Sequence, residues 1–181
     1  MKLAILERDG IVSQPVAGEL TGNHDWHALP DAASSIARLN LSGWHVVLIA
    51  TQPGLGRGLY DCTALNDYHR QMYKDLAAVG AKVDAVFFCP HAPEDHCDCI
   101  ATPHAALLRQ ILERFNTEAA KAVVVANSYP LQIAACHIGT RLHRLTAAQT
   151  ADTTNDNALP ATAATIHSHH SMVACVEALL Q

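Results

Sequence analysis

The chain has 181 residues, of which 50% are hydrophobic and 16% are charged, and it carries a formal net charge of −5. This composition predicts one globular domain over residues 1–181 and excludes a disordered chain. No apolar run approaches the roughly 18 residues of a transmembrane helix, so we expect no membrane partner. The sequence also has no block of Lys and Arg residues, so we expect no nucleic-acid partner. The apolar N-terminal run is interrupted by Glu7, Arg8 and Asp9, which argues against a signal peptide and favours a cytoplasmic protein.

Short apolar runs alternate with helical patterns along the chain, and this order predicts an α/β fold with a mostly parallel sheet. In chain order we predict a strand at 2–6, a helix at 30–40, a strand at 45–50, a turn at 52–58, a helix at 63–79, a strand at 83–88, a helix at 103–115, a strand at 122–126, a helix at 131–137, a strand at 141–145, a loop at 148–160, an edge strand at 163–167 and a helix at 171–180.

The strongest local signal is a cluster of metal-ligand residues with the spacing C-x-H-x5-C-x-C, formed by Cys89, His91, Cys97 and Cys99. Three thiolates and one imidazole suit tetrahedral zinc, and the loop has no apolar period with which to fold by itself. Four protein ligands leave no open position, so the zinc would be structural. The alternative is a group of ordinary thiols. His96 adjoins the cluster, but the symmetric pairing favours His91.

The other cysteines and the histidine-rich tail have less specific interpretations. Cys62, Cys136 and Cys175 fall in helical patterns and are predicted to pack as small hydrophobic residues. His167, His169 and His170 are predicted to form a polar, solvent-exposed turn, with an adventitious metal clamp as the alternative. These features carry no specific function at this stage.

Four segments together resemble a known family. They are residues 4–10 (AILERDG), 46–58 (VVLIATQPGLGRG), 87–99 (FFCPH…CDC) and 123–135 (VVVANSYPLQIAA). In this order they resemble the D-glycero-D-manno-heptose-1,7-bisphosphate phosphatases of the haloacid dehalogenase superfamily, and the related histidinol-phosphatase domains share the zinc loop. The resemblance implies a Rossmann-like fold, with helices on both faces of a parallel sheet plus the zinc loop. It also implies a sugar-phosphate hydrolase of lipopolysaccharide heptose biosynthesis.

The same resemblance assigns roles to residues, and the chain departs from the family at most of them. Glu7 stands at the position of the aspartate nucleophile, whereas Asp9 retains the general acid/base. The family's phosphate-binding Thr-Asn pair corresponds to Ala50 and Thr51, and its phosphate-binding lysine corresponds to Ala101. One hydroxyl, one amide and one cation are therefore missing.

The magnesium site implied by the family is also altered. Glu7, Asp9 and Asn127 stand at its ligand positions, and Leu131 replaces an acidic residue that supports it. Mg²⁺ requires near-octahedral oxygen ligands, usually including carboxylates. We therefore expect this site to be vacant, and magnesium as a cofactor is doubtful.

These departures lead to competing functional hypotheses. The first is a pseudo-phosphatase that acts as a binding or regulatory protein, with a sugar phosphate or a protein as its partner. The second is a working Mg-dependent phosphomonoesterase with altered chemistry, using Glu7 or a water activated by Asp9. A third is a metal-handling protein that uses the histidine-rich tail.

Overall fold

The computed structural model describes residues 1–16, 20–91, 103–146 and 165–181. Its strands form one six-stranded sheet in which every neighbouring pair is parallel, in the order β3-β2-β1-β4-β5-β6. The strands are β1 (Lys2–Glu7), β2 (Trp44–Thr51), β3 (Ala85–Cys89), β4 (Ala122–Ala126), β5 (Arg141–Leu145) and β6 (Thr165–His169). The helices are α1 (Ala32–Leu41), α2 (Pro53–Gly56), α3 (Cys62–Ala78), α4 (Pro103–Arg114), α5 (Tyr129–Ile138) and α6 (Met172–Leu180), with 3₁₀ turns at Asn23–Asp25 and Ala119–Lys121.

Central strand β1 shows why the sheet is covered on both faces. Its side chains alternate in direction, so Ala4 and Leu6 enter one hydrophobic core whereas Leu3 and Ile5 enter the other, and all four are fully buried. Apolar residues of α1, α3 and α6 complete the first core, and those of α4 and α5 complete the second. The predicted Rossmann-like arrangement, a parallel sheet with helices on both faces, is confirmed.

The strand order places a crevice at the end of β1. The connections from β1 reverse direction in the sheet between its neighbours β2 and β4, and open α/β sheets bind ligands outside the carboxyl ends of strands at such a point. Glu7 ends β1, Thr51 ends β2 and Asn127 directly follows β4. The topology therefore gathers the family positions at one edge of the sheet.

Three predictions differ from the structure. The segment predicted as a turn at 52–58 contains the short helix α2. The edge strand lies at Thr165–His169, two residues later than predicted, so His167 and His169 belong to a strand and not to a polar turn. Cys62 is exposed at the start of α3, whereas Cys136 and Cys175 are buried as predicted. Among the helices of the described residues, none has the length and apolarity needed to cross a bilayer.

Candidate active site

Glu7 points its carboxylate at the first turn of α5. Its Oε2 accepts hydrogen bonds from the backbone N–H groups of Asn127, at 2.8 Å, and Ser128, at 2.9 Å. Ser128 is the N-cap of α5, but its own side chain makes no capping hydrogen bond, so Glu7 supplies the cap from another strand. Burial raises the pKa of Glu7, and the hydrogen bonds from Ser128 and Asn127 oppose that rise. One oxygen of the carboxylate at the nucleophile position therefore caps the N-terminus of α5.

Asp9 is held by its neighbour in sequence. Arg8 donates from Nε to Oδ1 at 2.9 Å and from Nη2 to Oδ2 at 2.8 Å, a bidentate pair. Ser13 adds a hydrogen bond from its hydroxyl to Oδ1 at 3.3 Å. The Asp9 side chain remains 28% exposed, whereas that of Arg8 is only 3% exposed. Asp9 can therefore be reached from the crevice, but both of its oxygens are already engaged.

Arg8 is a buried cation whose other contacts come from α3 and the end of β2. Its guanidinium lies 5.0 Å from the centre of the Tyr68 ring, and Nη1 lies 3.2 Å from Nε2 of His69. With the Gln52 amide oriented to satisfy its neighbours, the amide oxygen accepts from Nη1 at 2.7 Å. Burial and, secondarily, Arg8 lower the pKa of His69 to about 4, so Nε2 of its neutral ring can accept a hydrogen bond from Nη1 of Arg8. Sequence reasoning missed this network because nothing in the local pattern marks Arg8 as buried.

The remaining family positions differ in their exposure to solvent. At the end of β2, Ala50 is buried and Thr51 is exposed. Leu131 is 0% exposed and packs in the core formed by α4, α5 and the sheet. Ala101 lies outside the described residues.

Gly10 and Asn127 bring the loops after β1 and β4 into contact. Gly10 has φ +85°, and a Cβ atom there would overlap Nδ2 of Asn127. Glycine is therefore required both for the backbone conformation and for the space that the Asn127 side chain occupies. The contact lies beyond the β1–β4 ladder, which holds the first and fourth family motifs side by side.

The residues at the implied magnesium site do not fit that ion well. Glu7 Oε2 accepts two backbone hydrogen bonds, Asp9 is paired with Arg8, and Asn127 offers a neutral amide. The position that would add a further carboxylate is the buried Leu131. Mg²⁺ prefers an octahedral set of oxygens that usually includes one or two carboxylates, and here Glu7 Oε2 and both carboxylate oxygens of Asp9 already accept hydrogen bonds.

The described half of the zinc loop does fit a tetrahedral ion. Cys89, at the end of β3, has its Sγ 3.7 Å from Nδ1 of His91. Zn–S and Zn–N bonds of about 2.3 Å and 2.0–2.1 Å at a tetrahedral angle place the two ligand atoms about 3.6 Å apart. Cys97 and Cys99, the other two predicted ligands, lie outside the described residues.

No family model matches this chain, but individual known proteins do. It is 42% identical to a D-glycero-beta-D-manno-heptose-1,7-bisphosphate 7-phosphatase of Bordetella bronchiseptica over 128 residues, 71% of each chain. It is 34% identical to the enzyme of the same name from Pseudomonas aeruginosa over 116 residues, which are 64% of this chain and 65% of that one.

A solved structure extends the likeness to the full length. The crystal structure of D,D-heptose 1,7-bisphosphate phosphatase from B. bronchiseptica, complexed with magnesium and phosphate, superimposes with a TM-score of 0.88 at 36% identity. The match covers 100% of this chain and 99% of that one. Sequence and fold agree: the chain belongs to the D-glycero-D-manno-heptose-1,7-bisphosphate 7-phosphatase family, on the haloacid dehalogenase-like fold.

Proposed function

We propose that this chain is a pseudo-phosphatase of its family: it uses the crevice to bind a sugar phosphate, or to regulate a protein partner, without efficient hydrolysis. The observation that supports the proposal is the hydrogen bonding of the Glu7 carboxylate. The residue at the nucleophile position caps α5 through backbone N–H groups of Asn127 and Ser128. An oxygen with two such donors is a weaker nucleophile and a weaker metal ligand than a free carboxylate.

The size of the expected loss follows from the replaced groups. Glu7 is one methylene longer than aspartate, and a misplacement of about 1 Å at a reacting atom can cost ~10²-fold in rate. Loss of a cation that stabilises the transferring group, here at Ala101, typically costs a few kcal/mol, or about 10²–10³-fold. Such effects are not additive, but even half of their combined free energy would remove useful turnover.

The groups that remain favour recognition of an anion. Thr51 still presents a hydroxyl at the end of β2, and Gly10 still lets two loops meet at the crevice. Since the relatives are named for a heptose bisphosphate, a phosphorylated sugar of lipopolysaccharide heptose supply is the ligand class that we propose.

We also propose a structural zinc ion held by Cys89, His91, Cys97 and Cys99. The Cys89–His91 geometry and the donor set of three thiolates and one imidazole support it. The ion would hold the loop after β3 in place and would take no part in chemistry, because all four of its positions are filled by protein.

The alternative function is a working Mg-dependent phosphomonoesterase with altered site chemistry. It is favoured by the relatives, which are named as phosphatases, and by the retained Asp9 at the acid/base position. In that case Glu7, or a water activated by Asp9, would attack phosphorus.

Titration calorimetry with heptose 1,7-bisphosphate, with and without millimolar Mg²⁺, separates the two functions. Because the magnesium positions are degenerate, we expect the same affinity in both buffers. Thr51→Val should weaken binding, whereas the matched variant Thr165→Val, on exposed strand β6, should not. Affinity that requires Mg²⁺ would favour the phosphomonoesterase. Absence of binding in both buffers would exclude the sugar-phosphate ligand and leave the protein partner.

A further inference from the structure

A second group of metal-ligand side chains lies on β5, the outermost strand β6 and α6, two to three strands away from the crevice at β1. His143 on β5, His169 on β6 and Cys175 on α6 present ligand atoms that all lie within 4.8 Å of one another. Nδ1 of His143 is 3.0 Å from Nε2 of His169 and 3.7 Å from Sγ of Cys175. Nε2 of His143 is buried with no hydrogen-bond partner among the described residues, so the two polar contacts of this ring are those that Nδ1 makes within the cluster.

Strand register and a helix cap assemble the cluster. In the parallel β5–β6 ladder, His143 is opposite His167 and Leu145 is opposite His169, so residues 143, 167 and 169 share one face of the sheet. Helix α6 covers that face. It begins at the N-cap Ser171, whose side chain accepts from the N–H of Ala174, and this start places Cys175 in the first turn above His143.

We propose that His143, His169 and Cys175 bind a borderline divalent transition-metal ion, of the zinc or cobalt type, at a site separate from the Cys89–Cys99 loop. Two imidazoles and one thiolate are the donor set that such ions prefer. In a tetrahedral site the N···N edge would be about 3.3 Å and the S···N edge about 3.6 Å, calculated from ordinary zinc bond lengths. The two observed edges from His143, 3.0 Å and 3.7 Å, are within a few tenths of an ångström of these. The third edge, between His169 and Cys175, is no longer than 4.8 Å, so the ion would draw these two side chains closer together.

The ligand types suit such an ion, because transition metals are bound by neutral imidazole and by thiolate. Binding would therefore release the proton of the Cys175 thiol.

The cluster is also accessible. His169 is half-buried and His167 is exposed, with its ring centre 4.8 Å from that of His143. An ion can therefore enter from the solvent side, and His167 or a water can supply a fourth ligand. Because the three proposed ligands come from β5, β6 and α6, the ion would connect the edge strand and the last helix to the sheet.

Cadmium-113 NMR of the full chain tests the site, since Cd²⁺ takes the same ligands and its chemical shift reports the number of thiolates. We expect a resonance from a site with one thiolate, upfield of any signal from the thiolate-rich loop. Cys175→Ala should remove the upfield resonance alone. The matched control is Cys136→Ala, which changes another fully buried cysteine, on α5, and should leave it in place.

Equilibrium dialysis with Zn²⁺ gives the affinity. Removing a side chain that hydrogen-bonds to a metal ligand typically lowers the metal affinity about 10–100-fold. We therefore expect removal of a ligand itself to lower the Zn²⁺ affinity at least ~100-fold. His169→Ala provides a second variant if Cys175→Ala does not fold, and His170→Ala, an exposed neighbour, is its control. The proposal is overturned if unmodified protein gives no such resonance, or if the signal survives in a folded Cys175→Ala or His169→Ala variant.

Discussion

Restoring the degenerate catalytic positions together is expected to raise phosphate release at least ~10²-fold above that of the unmodified protein, because each missing group stabilises the same transition state. The changes are those that restore the family residues: Glu7→Asp, Ala50→Thr, Thr51→Asn, Ala101→Lys, Asn127→Asp and Leu131→Asp. Single changes should have almost no effect. A nucleophile without its metal ion, or a metal ion without the lysine, leaves the transferring phosphoryl group unsupported.

The structure shows which of these substitutions fit their surroundings and which would destabilise the fold. Asn127→Asp keeps the shape of the side chain that packs against Gly10, and Glu7→Asp withdraws the carboxylate from the N-terminus of α5. Leu131→Asp would bury a carboxylate at a position with 0% exposure, which costs several kcal/mol of stability. A five-site variant that keeps Leu131 is therefore made in parallel, and thermal unfolding is measured for both.

The activity of the repaired protein should depend on Asp9. With Asp9→Asn added, release from heptose 1,7-bisphosphate and from an aryl phosphate should return to the unrepaired level, since the leaving oxygen needs a proton. Folded five-site and six-site variants without activity would show that something other than the replaced groups prevents catalysis.

Removing one thiolate from the Cys89–Cys99 loop is expected to have the second-largest effect. Structural zinc contributes apparent binding free energies of about 10–16 kcal/mol in small zinc-binding peptides, and the loop has no hydrophobic pattern of its own to replace that contribution. Cys97→Ala should therefore lower the zinc content by one ion per chain and lower the melting temperature. Elemental analysis and calorimetry measure the two quantities.

Cys62→Ala is the matched control for the zinc loop, because Cys62 is an exposed cysteine at the start of α3 and belongs to neither proposed metal site. It should leave both quantities unchanged. A Cys97→Ala protein that retains the zinc content of the unmodified chain would contradict the proposed ligands, as would unmodified protein that contains well under one zinc per chain.

The fold could be predicted largely because its strands are short, apolar and separated by helices. The bounds of β4 were predicted to the residue, since its apolar run AVVVA ends sharply at Asn127. Those of β5 also match, although its sequence, RLHRL, is not an apolar run. The predicted bounds of β6 are two residues too early because its sequence is mostly polar. The position of this strand is set by its ladder with β5, and a local sequence pattern carries no information about that pairing.

The candidate site was predictable only at the level of position. Motif order predicts Glu7, Asp9, Thr51 and Asn127 at one edge of the sheet, and in the structure they lie at or just after the ends of β1, β2 and β4. The cap of α5 by Glu7 and the burial of Arg8 against α3 arise from tertiary contacts. For the same reason, the histidines of the tail were predicted as an exposed turn, although His169 packs against His143 across two strands.

Phosphate release by the unmodified protein tests the central claim most directly. The protein is mixed in excess with heptose 1,7-bisphosphate and millimolar Mg²⁺, and a single turnover is followed for hours. With Glu7 engaged at the α5 N-terminus and the phosphate-binding positions replaced, we predict no release above that of a protein-free control. Release at ordinary enzyme rates, about 1–10³ s⁻¹, would contradict the account, because it would mean that Glu7 or a water activated by Asp9 carries out the hydrolysis.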